Sequence, residues 1–155
     1  DALGLSAKET ARVLGLAMML SAGASLFAQG IVVQRLQLAP FDLLRFAIPL
    51  LIISFTIMAL FQTQLMLTLA MALQGFAMGM AGPAFMAGAS LAVSTEEQGS
   101  VAGIASSCGP LGFTVGPILG GLLYQINPVL PYVFAATVYI VLMLSMSRLR
   151  QTITS

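Results

Sequence analysis

The stretch Leu65-Met-Leu-Thr-Leu-Ala-Met-Ala-Leu-Gln74-Gly-Phe-Ala-Met-Gly-Met-Ala-Gly-Pro-Ala-Phe-Met-Ala-Gly-Ala-Ser90-Leu-Ala-Val-Ser94 runs for 30 residues without an Asp, Glu, Lys or Arg. A helix crosses a hydrocarbon core of about 30 Å with about 20 apolar residues. This segment is long enough to cross and still tilt or project beyond the bilayer. Lipid offers no partner for open backbone groups, so such a segment must satisfy its own hydrogen bonds as a helix.

The rest of the chain has the same character. Of its 155 residues 59% are hydrophobic and 7% charged, and mean hydropathy is +1.01. Soluble domains carry about a quarter charged residues, which excludes a water-soluble globular fold. A net charge of +1 with six Lys plus Arg leaves no basic surface for nucleic acid. Histidine is absent and Cys108 is the only cysteine. No disulfide can form within the chain, zinc sites built on Cys and His are excluded, and no cofactor or metal is expected.

The eleven charged residues fall into four clusters: Asp1 to Arg12, Arg35 to Arg45, Glu96 with Glu97, and Arg148 with Arg150. The uncharged runs between them read as five spans, roughly 13–33, 43–61, 65–94, 99–124 and 129–147, forming one partial transmembrane domain over residues 1–155. Gln62-Thr63-Gln64 breaks the second from the third. Gln125-Ile126-Asn127-Pro128 breaks the fourth from the fifth, because Asn-Pro favours a turn. The first span is too long for the apolar core of a secretory signal and lacks a small-residue cleavage site. Arg35, Arg45, Arg148 and Arg150 fall on one side and Lys8 and Arg12 on the other. Positive charge favours the cytoplasm, so the 34–42 and 95–98 loops and the C-terminus are expected inside and the N-terminus outside. An external N-terminus that begins with Asp reads as the back part of a longer protein.

A shift of 88 residues, without gaps, lays one part of the chain over another. Leu3, Ser6, Glu9, Val13, Gly15 and Ala17 match Leu91, Ser94, Glu97, Val101, Gly103 and Ala105. Gln37, Pro40, Phe46 and Ala47 match Gln125, Pro128, Phe134 and Ala135, giving ten identities over residues 3–47. Ala24 and Ala28 also lie over Gly112 and Gly116. Each copy opens on Ser-x-x-Glu, in which Ser caps a helix and Glu reaches back to it. The offset covers three spans, an odd number, so the copies face opposite ways. That is an inverted-topology repeat, a design of secondary transporters. Its symmetry places a partner for span 65–94 ahead of Asp1.

Residues 99–124 carry the densest glycine pattern. Gly112, Gly116 and Gly120 recur every fourth residue along one helix face and permit close backbone approach. Gly109 precedes Pro110, and Pro110 and Pro117 each remove a backbone donor and should kink the helix. Two readings stand side by side: a tightly packed helix pair, or a kinked helix that bends at a domain interface during alternating access.

The stretch Glu97-Gln98-Gly99-Ser-Val-Ala-Gly103, with Gly112, Gly116-Pro117 and Gly120-Gly121 after it, resembles the tenth-to-eleventh helix region of major facilitator superfamily transporters. The likeness is to bacterial drug-efflux members, the tetracycline-efflux type included. It implies an all-α membrane protein whose five spans are helices eight to twelve of twelve. They would form most of the C-terminal six-helix half, with an inverted three-helix repeat. It also implies that residues 1–12 end helix seven, that the missing N-terminal half of the same chain is a partner, and that the protein sits in membrane lipid, in a bacterial inner membrane, with a cytoplasmic C-terminus. The proline-glycine motif that marks antiporters belongs to the fifth helix, which lies outside this stretch; Gly109 to Gly121 is its counterpart in the other half. The loop after Gln34 departs from the family's acidic-basic pattern, since it has Arg35 and Asp42 but no Gly.

No Asp, Glu, Lys or Arg lies in the middle of a span. Ionisable groups inside membranes mark ion or proton paths, so a proton-coupled protein would titrate elsewhere. Arg35, Asp42 and Arg45 read as orientation and loop contacts. On the family likeness, span 65–94 lines the central cavity. Gln74, Met78, Ala81 or Gly82, and Phe85 share one face there. Gln74, the only strongly polar residue near mid-span, would bind a small-molecule substrate or tie two helices together. Met66, Met71, Met78, Met80 and Met86 suit a cavity for varied apolar molecules, or simple gap-filling. Gln29 and Phe113, then Ser106, Ser107 and Thr114, are further cavity candidates, and Cys108 reads as a packing residue. A membrane enzyme is unsupported: a serine nucleophile needs a base, and Glu96-Glu97 is an isolated carboxylate pair. The alternative to a transporter is a complete five-span assembly or scaffold subunit.

Overall fold

The computed structural model describes residues 6–61 and 63–154, with backbone alone for residues 148–154. Leu3 of the repeat and Gln62 of the polar break lie outside the described residues. Five helices follow one another: α1 (Ala7–Leu36), α2 (Pro40–Leu60), α3 (Gln64–Leu91), α4 (Gln98–Ile126) and α5 (Leu130–Thr154), and no strand occurs among the described residues. Each is long and apolar enough to cross a membrane.

Local chemistry sets the ends. Ser6 caps α1, and its backbone N–H and hydroxyl both donate to Glu9 Oε2, at 2.9 and 2.6 Å. Pro40 opens α2 at a position where its missing N–H costs nothing, and the Thr63 hydroxyl accepts from the Met66 N–H to start α3. The second Ser-x-x-Glu behaves differently from the first. Ser94 donates its hydroxyl to Glu97 Oε2 at 2.8 Å, but α4 starts only at Gln98, with Glu97 as its N-cap. Ser94 and Glu97 therefore close a turn ahead of the helix and do not cap it. Where Ala11 and Arg12 extend α1, the second copy has Gly99 and Ser100, which are weaker helix formers.

The packed heart of the chain is a crossing between α1 and α3. A Cβ added at Gly75 would collide with the Ser21 carbonyl and hydroxyl oxygens. One added at Gly79 would stand 2.5 Å from the Ser25 carbonyl oxygen and 3.0 Å from Ala28 Cβ. Four residues separate each glycine pair and each serine pair, in the same direction, so α1 and α3 cross as parallel helices with backbones in near contact. Phe27 and Phe76 meet beside the crossing, ring centroids 6.4 Å apart.

The second helix joins from the opposite direction. Its buried residues Leu43, Ala47, Ile48, Leu51, Ser54 and Met58 fall on one face. Ser54 donates to the Ala70 carbonyl at 2.8 Å, and Pro40 lies 3.6 Å from where a Cβ of Gly88 would sit, so α2 runs antiparallel to α3. Ala28, Ala47 and Met80 bring α1, α2 and α3 into one core, with Val32, Leu50, Phe76 and Ala81 around it. The last helix packs on α2, where Phe55 stacks on Tyr139 at 5.8 Å.

The fourth helix stands apart. Ala105 is its only buried residue among those described, and a Cβ at Gly109, Gly112, Gly116 or Gly120 would meet nothing within 4 Å. The close helix pairing expected there belongs instead to Gly75 and Gly79. The helix assignment runs unbroken through Pro110 and Pro117, as it does through Pro49 and Pro83.

Two outcomes follow. Gly75→Ala and Gly79→Ala each force backbone apart, a loss of about 1–3 kcal/mol, read as a lowered Tm in detergent. At the entrance to α1, ahead of the apolar run from Val13, the hydrogen bonds from Ser6 hold the Glu9 carboxyl below its ordinary value. A lowered folded pKa contributes stability at neutral pH that is lost as pH falls through it. The protection factors of the amides over residues 7–10, measured against the intrinsic exchange rate at each pH, should therefore fall in acid, and Glu9→Gln should remove that fall.

Candidate functional site

The side of α3 turned from the crossing is where the chain leaves large groups uncovered. Met78 and Phe85 are each 46% exposed, and a Cβ at Gly82 would meet open space. Ala81 packs against the core, so Gly82 is the residue that continues the Gln74–Met78–Phe85 face. Gln74 is half-buried, and among the described residues its amide has no hydrogen-bond partner. The interhelical hydrogen bond considered for it is thus not made within these helices. The strip offers one free donor-acceptor group between a thioether, an aromatic ring and a glycine. Such a surface can hold an apolar molecule with a single polar handle. Of the five methionines in α3, Met80 is buried in the core, whereas Met66 and Met86 are exposed, though less so than Met78.

The other candidates lie on two different helices. Gln29 donates from Nε2 to Ser25 Oγ at 3.2 Å, so its amide is held along its own helix beside the α1–α3 crossing. Phe113 is 85% exposed on α4, more open than Met78 or Phe85. Ser106, Ser107 and Thr114 donate to the carbonyls of Gly103, Ile104 and Pro110, at 2.9, 2.7 and 2.9 Å. Those hydroxyl protons serve α4's own backbone; their oxygens remain as acceptors. Cys108 is exposed and its thiol faces the Ile104 carbonyl. The structure therefore carries Gln74, Met78 and Phe85 on one strip of α3, with Gln29 on α1 and Phe113 on α4.

One feature escaped the sequence. Ala28–Val33 is π-helical, with Gln29 inside it, and α1 ends on Gln37 in the left-handed region at φ 44°. A π segment interrupts the regular ladder and is frequent at functional sites. In the repeat register Gln29 lies over Pro117, which interrupts the ladder of α4 by removing a donor. The only sequence signal for it was that coincidence. Among the described residues no three His, Cys, Asp or Glu stand close enough to share a metal ion.

With five membrane-crossing helices in place, the family comparison decides the rest: the model of the Major Facilitator Superfamily matches residues 1–152. The chain belongs to the major facilitator superfamily. Its members are transporters, and the chain is an integral membrane protein of that class. No curated protein and no solved structure matches it.

An unpartnered amide can be removed without loss to the fold. Gln74→Leu should change stability by no more than about 0.5 kcal/mol, checked by thermal unfolding in detergent. A clear destabilisation would return Gln74 to a helix-tying role.

Proposed function

We propose that this chain is the C-terminal portion of a secondary transporter that exports small organic molecules, its spans being helices eight to twelve. The observation that carries the reading is the uncovered strip of α3, where one free amide sits among Met78, Gly82 and Phe85. It supports a substrate that is mostly apolar and carries one hydrogen-bonding group. Two six-helix halves would rock about a midplane site and open it to each side in turn. The missing N-terminal half would cover the exposed faces of α1 and α4 and complete the cavity, to which Gln29 and Phe113 would add. The bend points would be the two ladder interruptions, the π segment of α1 and Pro117 of α4. Lying past the middle of helices that run in opposite directions, they would serve opposite sides of the membrane.

Proton antiport is the coupling the drug-efflux likeness favours. No ionisable group lies mid-span in these helices, so the titrating residue would belong to the N-terminal half. The protein performs no bond chemistry on this reading. It would lie in a bacterial inner membrane with its C-terminus in the cytoplasm, on the side of Arg35 and Arg45.

The coding DNA upstream of Asp1 should continue in frame through about seven hydrophobic spans. A start codon directly before Asp1 would overturn the reading in favour of a five-span subunit. In energised inverted vesicles holding the full-length protein, ethidium or a tetracycline should accumulate until the pH gradient is collapsed. Gln74→Leu should raise KM about 2- to 10-fold, the worth of one hydrogen bond to a neutral group, while the protein level stays unchanged.

A further inference from the structure

The rings of Phe27 and Phe76 meet on one flank of the α1–α3 crossing. Residues two apart on a helix point about 200° apart. Gln29, two after Phe27, therefore lies on the other flank, as do Gln74 and Met78, two before and two after Phe76. The uncovered strip of α3 is thus one wall of a groove, and the side of α1 that carries Gln29 is its other wall. Gln29 is exposed. Its Nε2 donates to the Ser25 hydroxyl, which holds the side chain in place. The amide keeps a second N–H and its carbonyl oxygen for a ligand.

The groove widens at Gly82. Seven residues bring a helix back to the same face to within about 20°, so Gly82 stands at the edge of the strip nearest α1. A Cβ at Gly75 would collide with Ser21, whereas one at Gly82 would meet nothing within 4 Å. The backbones that touch at Gly75 and Gly79 have parted here, and a gap takes the place of contact. Gly79 lies against Ser25 and Ala28. On parallel helices Gly82, three residues on, comes level with the interval from Ala28 to Ile31, which holds Gln29 and opens the π segment. Glycine inside a helix costs stability, and neither a packing contact nor a left-handed backbone calls for it at this position. Pro83 does not require it either, since Ile48 precedes Pro49 inside α2. What the missing side chain leaves is room beside Gln29. Gln74 stands eight residues back along α3, roughly 12 Å away at the helical rise.

We propose that the transported molecule lies along this groove and is selected for two hydrogen-bonding groups about 12 Å apart, one held by the Gln74 amide and one by the Gln29 amide. Its apolar body crosses Met78, and its second end is seated in the gap at Gly82. The substrate class is an elongated molecule with a polar group at each end. The inference rests on the reading of the α3 strip as the substrate surface and extends it from one polar contact to two.

The test is binding of radiolabelled amides to the purified full-length protein, read by scintillation proximity. Sebacamide is a linear diamide of matching length, and decanamide is the same chain with one amide. Sebacamide should bind about 2- to 10-fold more tightly than decanamide, the worth of one further hydrogen bond between neutral groups. Adipamide, too short to reach both glutamines, should show no such advantage over hexanamide. Gln29→Leu should abolish the advantage of sebacamide. Gly82→Ile, which repeats the Ile48–Pro49 sequence of α2, should keep Tm and weaken sebacamide more than decanamide. Binding of neither long amide, equal binding of the two, an advantage that survives in folded Gln29→Leu, or the same advantage in the short pair would each overturn the proposal. Ethidium accumulation, measured separately, keeps the export reading apart. Accumulation with equal binding of the long amides would leave export standing and strike the second contact, and preferential sebacamide binding without accumulation would do the opposite.

Discussion

The structure turns on how closely α1 and α3 approach. At Gly75 and Gly79 there is no room for even one more carbon, because the Ser21 and Ser25 backbone occupies it. In lipid the hydrophobic effect does not drive helices together, so association rests on contact between surfaces and on the hydrogen bonds they bury. Two glycines opposite two serines give the largest contact the backbones allow. They also place Ala28 and Phe27 where Met80 and Phe76 can meet them. The second helix then closes on a groove already formed, and the buried Ser54 hydroxyl finds the Ala70 carbonyl, so that no buried side-chain polar atom among the described residues lacks a partner.

That arrangement also divides the surface of α3 by role. The residues turned to α1 and α2 are small or buried. Those turned away are Gln74, Met78, Gly82 and Phe85, and they stay open. A transporter needs a surface that holds its cargo weakly and releases it, and a thioether, a ring and one amide make adaptable, moderate contacts. The fourth helix is rich in glycine, yet Ala105 is its only buried residue among those described.

The membrane class was legible in the distribution of charge. Long runs without Asp, Glu, Lys or Arg admit only a helix in lipid, and the five helices each contain one such run. The Ser6–Glu9 cap was legible because it is local, closed within one turn. Its counterpart at Ser94 and Glu97 kept the bond but lost the helix start, since Gly99 and Ser100 shift the balance of local propensities.

Which glycines pack was not legible. Gly112, Gly116 and Gly120 have the more regular spacing, but Gly75 and Gly79 make the crossing, and a four-residue repeat names a face without naming its partner. The same holds for Gln74, whose composition and depth gave two roles equally. Sequence by itself determined that these helices cross a membrane, because the cost of burying charge or open backbone in lipid is paid residue by residue. Only the tertiary structure decided which faces meet and which stay open, because that choice depends on surfaces distant in the chain coming into register.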